Sequence, residues 1–365
     1  MPDRELFIGI MSGTSADGVD VVLVDLSGPA PVQLASHYQA FPPELRHRIL
    51  RLQSSAVDEL HQGALVSVEL ARTYAECANA LLADAGVSAT KVRAIGCHGQ
   101  TVRHRPDAGY TLQLGNGALL AELTGICVVC DMRSRDIAAG GQGAPLVPAF
   151  HSAVFSDARR HRVIANIGGI ANVTDLATAG AVRGFDTGPG NVLLDAWAEQ
   201  HLGTPHDEGG RWASSGRIVP RLLQTLLDHS FFARSPPKST GREEFNFDWL
   251  QSKVTGSDRP ADVQATLVEL TAASIAQAVR AYCPGAEEIY VCGGGAHNAA
   301  LMGALGRNLE NLALDTTDRL GISADWVEAS AFAWLAQRAL SGQPGNLPAV
   351  TGARGLRVLG AIYPA

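Results

Sequence analysis

Three glycine-rich turns hold the residues of this 365-residue chain whose types and spacing could do chemistry. The first, Ser12-Gly13-Thr14-Ser15-Ala16-Asp17-Gly18, runs on into Val19 and Asp20. It combines glycines for close backbone approach with hydroxyls and a carboxylate, and consecutive N–H groups in such a turn make an anion-binding concavity. An ordinary tight turn is the competing reading. The second, Gly184-Phe185-Asp186-Thr187-Gly188-Pro189-Gly190-Asn191, precedes Val192-Leu193-Leu194-Asp195, the start of a helix. Free N–H groups at a helix N-terminus favour phosphate. Asp186, at a strand end before that helix, is placed to take a proton from a bound hydroxyl or water; the alternative is that it only caps the turn. The third, Val291-Cys292-Gly293-Gly294-Gly295-Ala296-His297-Asn298, leaves room against the backbone for something flat or large, of which an adenosine moiety is one candidate. His297 and Asn298 read equally as helix caps or as ligand contacts.

These turns need strands and helices to hold them. Leu6 to Met11 and Val19 to Asp25 are β-rich runs flanking the first turn, which predicts a hairpin. A second hairpin is predicted where Arg162 to Ile167 and Ile170 to Leu176 flank Gly168-Gly169, and the pair suggests an architectural duplication. Helical spacing joins Leu65, Val68, Leu70 and Tyr74 in a helix that stops before Gly86. Another is expected from Asp262 as N-cap, with Val263, Leu267, Leu270, Ile275 and Val279 on its apolar face. A third follows Asp325, with Val327, Ala331, Trp334 and Leu335 in phase and small residues at Ala329, Ala333 and Ala336 for close packing on a sheet. The tail Val358 to Tyr363 reads as a strand. Pro236 to Gly241 is a loop, and the Gly- and Pro-rich stretch Asp136 to Pro148 is a candidate linker. Strands alternating with helices make this an α/β protein.

Composition bounds the function. The length favours two domains over one core. A content of 46% hydrophobic and 18% charged residues is that of a folded globular chain. A formal charge of −7 argues against nucleic acid as the main partner. The N-terminus shows no signal-peptide pattern, and no apolar run approaches the roughly 18 residues of a membrane span. A cytoplasmic protein without membrane association is therefore expected, with its scattered cysteines reduced. Cys127 and Cys130 have C-x-x-C spacing but sit in the apolar run Gly125 to Cys130, so a buried strand is expected in place of a metal or redox site.

Neither a P-loop nor a dinucleotide fingerprint is present. Two phosphate turns followed by a glycine-rich adenosine turn, in that order, resemble the layout of the actin/hexokinase/Hsp70 superfamily. At finer grain the chain resembles the anhydro-N-acetylmuramic acid kinase family. The likeness rests on Gly9-Ile10-Met11-Ser12-Gly13-Thr14-Ser15 with Asp17-Gly18, Gly96-Cys97-His98-Gly99-Gln100-Thr101, Asp131-Met132-Arg133 with Asp136, and Asn166 to Asn172. It continues through Phe185 to Asn191, Pro237-Lys238-Ser239-Thr240-Gly241-Arg242-Glu243, Gly293 to Gly295, and Asp325-Trp326-Val327-Glu328-Ala329. Ala16 stands where a larger apolar residue is expected.

The resemblance implies two actin-like (ribonuclease H-like) α/β domains around an ATP-binding cleft, drawn as residues 1–137 plus 345–365 and residues 138–344. It implies a murein-recycling enzyme that converts 1,6-anhydro-N-acetylmuramic acid, ATP and water to N-acetylmuramic acid 6-phosphate and ADP. ATP and Mg²⁺ are the expected cofactors, no direct metal ligand is assigned, and a homodimer is left open. ATP would contact Gly13, Thr14, Ser15, Ala16, Asp17, Gly18, Val19, Asp20, Gly169, Gly188, Gly190, Gly293, Gly294 and Gly295. Asp186 would be the catalytic base. Thr101, Arg133 and Glu328 would line the sugar pocket, Arg133 pairing with the lactyl carboxylate; a structural ion pair of Arg133 with Asp131 or Asp136 is the other reading. A superfamily kinase acting on an ordinary sugar hydroxyl, or an ATP-driven binding protein, are the alternatives.

Overall fold

The computed structural model describes residues 4–55 and 57–365. In chain order the elements that matter here begin with β1 (Leu6–Met11), β2 (Gly18–Asp25), β3 (Val32–Ala40), α1 (Glu59–Ala85) and β4 (Val92–Cys97). The hairpin β5 (Gln100–Arg105) and β6 (Tyr110–Leu114), α2 (Gly117–Thr124) and β7 (Val128–Cys130) follow. Next come β8 (Arg162–Ile167), β9 (Ile170–Leu176), β10 (Arg183–Pro189), α3 (Val192–Leu202), α4 (Pro260–Tyr282), β11 (Glu288–Cys292), α5 (Ala299–Asn308) and β12 (Ala313–Thr316). The chain closes with α6 (Val327–Leu340) and β13 (Ala361–Tyr363).

These elements form two compact units, residues 1–154 with 326–365, and residues 155–325. The first unit has a six-stranded sheet in the order β13-β7-β4-β1-β2-β3, and the second a five-stranded sheet in the order β10-β9-β8-β11-β12. In both, the opening hairpin and a third strand pair antiparallel, and two later strands add in parallel on the other side. The order β3-β2-β1-β4-β7 is thus repeated strand for strand as β10-β9-β8-β11-β12. In the first unit β13 adds one antiparallel strand beside β7.

Local chemistry explains the elements. Every residue of β1 is buried, as a central strand covered on both faces requires, whereas the edge strand β3 alternates in exposure. Helix α1 ends where Gly86 takes a left-handed φ of 63°. Helix α4 starts two residues before the expected Asp262: Pro260 pre-sets the first turn, and the Asp262 carboxylate instead accepts the Arg217 amide at 2.9 Å.

Helix α6 lies against β1 and β4 at backbone distance. A Cβ on Gly9 would fall 1.8 Å from the Ala329 carbonyl oxygen, and one on Gly96 would fall 1.9 Å from that of Phe332. Glycines in the strands and alanines in the helix are what allow this approach. The chain returns to the first unit at Trp326, earlier than the residue 345 expected from sequence, because α6 packs on this sheet and buries Ala329, Phe332, Ala333 and Ala336 with Phe7, Val22, Val24 and Ala94.

The stretch 136–148 is no linker. The Asp136 carboxylate is fully buried and accepts hydrogen bonds from the Gly143 amide (2.8 Å), Asn346 (2.7 Å) and the Thr351 hydroxyl (2.8 Å), which tie the loop to the C-terminal segment inside the first unit. Val128–Cys130 is a strand, as the run Gly125 to Cys130 predicted, and Cys127 and Cys130 are free thiols.

Candidate active site

In the first unit the Ser12–Gly18 turn links β1 to β2, and its carbonyls are engaged by the protein itself. That of Ser12 accepts from His98 Nδ1 (3.0 Å), and that of Gly13 from Gln100 Nε2 (2.9 Å) and the Ala16 amide (3.1 Å). The Thr14 carbonyl accepts from Gln53 Nε2 (3.0 Å), and the Asp17 carbonyl from the Phe41 amide (3.0 Å). Ala16 is fully buried with φ 53°, a conformation that bulkier residues enter at a cost. Gly18 has no room for a Cβ, which would sit 2.5 Å from the Gln39 carbonyl oxygen. Val19 is buried behind the turn, and the exposed Asp17 carboxylate pairs with Arg46 at 3.2 Å. Asp20, at the start of β2, pairs in register with Met11. With these four carbonyls already occupied by donors, the turn suits an anion better than a cation.

Beyond β4, Arg133 donates to the Gly143 carbonyl (2.8 Å) and, through its other terminal nitrogen, to His98 Nε2 (2.9 Å). Its Nε is buried without a hydrogen-bond partner. Burial pulls the guanidinium down to about 10 and the Glu328 carboxylate, in the first turn of α6, holds it up; Arg133 remains a cation at neutral pH. The ion pairs weighed for it do not form: Asp136 is occupied by the loop, and neither Asp131 nor Asp136 bonds Arg133. Thr101 stands on β5 directly after Gln100, its hydroxyl accepting from Gln113 at 3.2 Å. A cavity of about 310 Å³ in this unit is lined by His98, Gly99, Gln113, Asn116, Asp131 and Ser134 among others; Thr101, Arg133 and Glu328 are not in its wall.

In the second unit β10 carries Asp186 to the sheet end. Its carboxylate accepts the Thr240 amide at 2.9 Å, and its own amide donates to the Lys238 carbonyl at 3.1 Å. Desolvation raises its pKa from 3.8 to about 6; the Thr240 amide and the Lys238 charge oppose the rise, and Glu243 adds to it. The Lys238 ammonium is held over the Phe231 ring at 4.5 Å, with its own pKa lowered by burial and by Arg234.

The helix N-terminus after Asp186 differs from expectation. The amides of Gly190, Asn191 and Val192 are taken by the carbonyls of Gly169 (2.9 Å), Gly168 (2.8 Å) and Gly169 (3.0 Å). The β8–β9 hairpin is thereby locked onto the second turn, and the contact is close enough that a Cβ on Gly190 would meet the Gly168 oxygen at 2.3 Å. Gly188, at φ 146°, packs under Phe232. Gly169 faces open space, with Arg242 the nearest side chain, 4.0 Å from where its Cβ would be.

The third turn joins the same neighbourhood. Gly293 (φ 81°) donates its amide to the Ala324 carbonyl at 2.9 Å, and a Cβ on Gly295 would strike Ile167 at 2.4 Å. Gly294 is exposed, with Asn191 Nδ2 3.5 Å from its Cβ position. Asn298 is a helix cap, accepting the Leu301 amide at 3.0 Å, and His297 pairs with Asp325 at 2.6 Å. Within this unit, then, Gly169, Asp186, Gly188, Gly190 and Gly293–Gly295 gather at one end of the sheet. Sequence reasoning passed over His98 and Gln100 beneath the first turn, Thr240 on the Asp186 carboxylate, and Asn191 between the second and third turns. All four were visible inside motifs, but only the fold pairs them with their partners.

Among the described residues no group of three or more histidine, cysteine or acidic side chains could hold a metal ion, and no helix is long and apolar enough to cross a membrane.

Comparison with known proteins gives the site a context. Anhydro-N-acetylmuramic acid kinase of Nitrosospira multiformis is 56% identical over 361 residues, covering 98% of this chain and 99% of that one. The proteins of the same name from Thiobacillus denitrificans (100% of this chain, 98% of that one) and Bordetella pertussis (100% and 97%) are each 54% identical. Solved structures align more distantly: component A of (R)-2-hydroxyglutaryl-CoA dehydratase from Acidaminococcus fermentans at TM-score 0.46 and 14% identity (90% of this chain, 96% of that one), and the ROK hexokinase of Thermus thermophilus at TM-score 0.36 and 16% identity (91% and 99%). The family profile described as anhydro-N-acetylmuramic acid kinase matches residues 5–365, and the chain belongs to that family.

Proposed function

We propose that this protein is the kinase that opens 1,6-anhydro-N-acetylmuramic acid with water and phosphorylates O6 from ATP, giving N-acetylmuramic acid 6-phosphate and ADP in the cytoplasm. The two units are the two actin-like, ribonuclease H-like domains of such a kinase, with ATP as the phosphoryl donor. The repeated strand order supports that assignment.

The observation that carries the chemistry is the Asp186 carboxylate, with a pKa of about 6 and one oxygen anchored by the Thr240 amide. It is ionised at neutral pH yet basic enough to take a proton. The bridging oxygen of the anhydro sugar carries no proton, so an ordinary kinase base has nothing to remove from it. Asp186 acts on water instead. Water attacks C1 and gives its proton to Asp186, the C1–O6 bond breaks, and O6 forms its new bond to the γ-phosphorus as ADP leaves. This is half of an inverting glycosidase, with phosphorus in place of the general acid.

Arg133 holds the lactyl carboxylate, with Glu328 and Thr101 beside it. Gly13 to Asp20 take ATP phosphates, Gly169, Gly188 and Gly190 shape the second phosphate turn, and Gly293–Gly295 border the adenosine. Because the amides of Gly190 to Val192 are already bonded, that turn acts through its shape and the half-buried Gly169, which has open space beside it. Mg²⁺, brought by the ATP phosphates, would neutralise charge on the transferred group.

The test is ³¹P NMR, with mass spectrometry to place the label, of ATP mixed with the anhydro sugar and the protein in ¹⁸O-labelled water. A sugar 6-phosphate with the label at C1 is the expected product. Label in phosphate means plain ATP hydrolysis, and an unlabelled sugar phosphate means an ordinary hydroxyl acceptor.

A further inference from the structure

His98 sits at the end of β4 with 4% of its surface exposed, and both ring nitrogens are engaged. Nδ1 faces the Ser12 carbonyl oxygen at 3.0 Å, which can only accept; Nδ1 therefore carries the proton. Nε2 faces the terminal nitrogen of Arg133 at 2.9 Å, which can only donate; Nε2 is therefore bare. The partners alone fix a neutral imidazole in the Nδ1–H form. Desolvation and the Arg133 charge agree, pulling its pKa to about 3. The Phe332 ring of α6 packs against the imidazole with centroids 4.9 Å apart.

The connection continues past Ser12. The Ser12 hydroxyl donates to the Gln100 side-chain oxygen, and the Gln100 amide nitrogen donates to the Gly13 carbonyl at 2.9 Å. An unbroken line of hydrogen bonds thus runs from the Arg133 guanidinium to the backbone of the Ser12–Gly13 turn, all within the first unit.

We propose that His98 is a positioning residue with two separable links, its Nε2 orienting the Arg133 guanidinium and its Nδ1 orienting the Ser12–Gly13 phosphate turn. The proposal rests on the reading that Arg133 takes the sugar carboxylate and the turn takes ATP. With both ring nitrogens engaged by the protein, His98 acts on the substrates through these two neighbours.

Two substitutions separate the two links. His98→Asn places an amide N–H where Nδ1 lies and leaves nothing at Nε2. His98→Gln places an amide oxygen where Nε2 lies and leaves nothing at Nδ1. A lost bond to a charged group is worth about 1.5–3 kcal/mol, so His98→Asn should raise KM for the anhydro sugar by about tenfold or more with KM for ATP within about twofold. His98→Gln should do the reverse, raising KM for ATP or lowering kcat while sugar KM stays near wild type. Thermal melting of both variants checks that they are folded. Parallel changes in both KM values, or none, would overturn the assignment of separate links. A wild-type protein that makes no sugar phosphate would sink the functional reading instead. The network is still tested then by ¹⁵N NMR of histidine-labelled wild type. His98 should stay neutral with its proton on Nδ1 from pH 5 to 8; an imidazolium or an Nε2–H form in that range overturns the proposal whatever the substrate.

Discussion

Replacing Asp186 with asparagine keeps the shape and the Thr240 contact but removes the base, and the structure gives this variant two effects of opposite sign. Turnover should fall by about 10²–10⁴-fold, the usual contribution of a general base, with little change in ATP affinity. Stability should rise. With a folded pKa of about 6 against 3.8 in the unfolded chain, the folded state keeps a proton that the unfolded state releases between those values. Wild-type stability from this group is therefore complete below about pH 4 and is lost as pH rises through 6; the difference corresponds to at most about 3 kcal/mol. The asparagine side chain does not titrate, so the variant should match wild type near pH 4 and exceed it above pH 7, by up to roughly 5–10 °C in melting temperature. The assay is a pair of pH series, one of thermal melts and one of kcat/KM, in which wild-type activity should climb through about pH 6 and level off. A variant that is active like wild type, or less stable at pH 8 than at pH 4 relative to it, would show that Asp186 is a turn cap whose charge the fold welcomes.

Two further outcomes follow from geometry already described. Arg133→Lys loses the planar fork while keeping the charge, and sugar KM should rise about 10–100-fold in steady-state kinetics with a much smaller change for ATP. Gly96→Ala drives a methyl into the Phe332 carbonyl 1.9 Å away, so it should destabilise by about 3 kcal/mol or more and lower the melting temperature by roughly 6–12 °C in calorimetry.

Much of the fold was legible because its signals are local. The run Leu6 to Met11 and the Gly168-Gly169 turn announce hairpins, and Gly86 announces a helix end. What stayed hidden depends on distant pairing. The Asp136 to Pro148 stretch has the composition of a linker, but a buried carboxylate met by Asn346 and Thr351, about two hundred residues on, makes it fixed structure. Helix α6 follows the second unit in sequence, and only the matching of Gly9 and Gly96 to its alanine face shows which sheet it covers. At the site, the type and position of Asp186 marked it as a candidate base, whereas its raised pKa comes from desolvation that no spacing reveals. The N-terminus of α3 looked open to phosphate in the sequence, and it is the folded β8–β9 hairpin that occupies it.

The return of α6 and β13 to the first sheet also bears on synthesis. A ribosome delivers β1, β2 and β4 early, yet the helix that covers Phe7, Val22, Val24 and Ala94 arrives only after residue 326. The second unit is continuous in the chain and can complete its core while the first still exposes an apolar sheet face. Released chains that stop just before Trp326 should therefore hold a protease-resistant second unit and a first unit that is open to chaperones, with residues 326–365 supplying the cover for a sheet begun at Leu6.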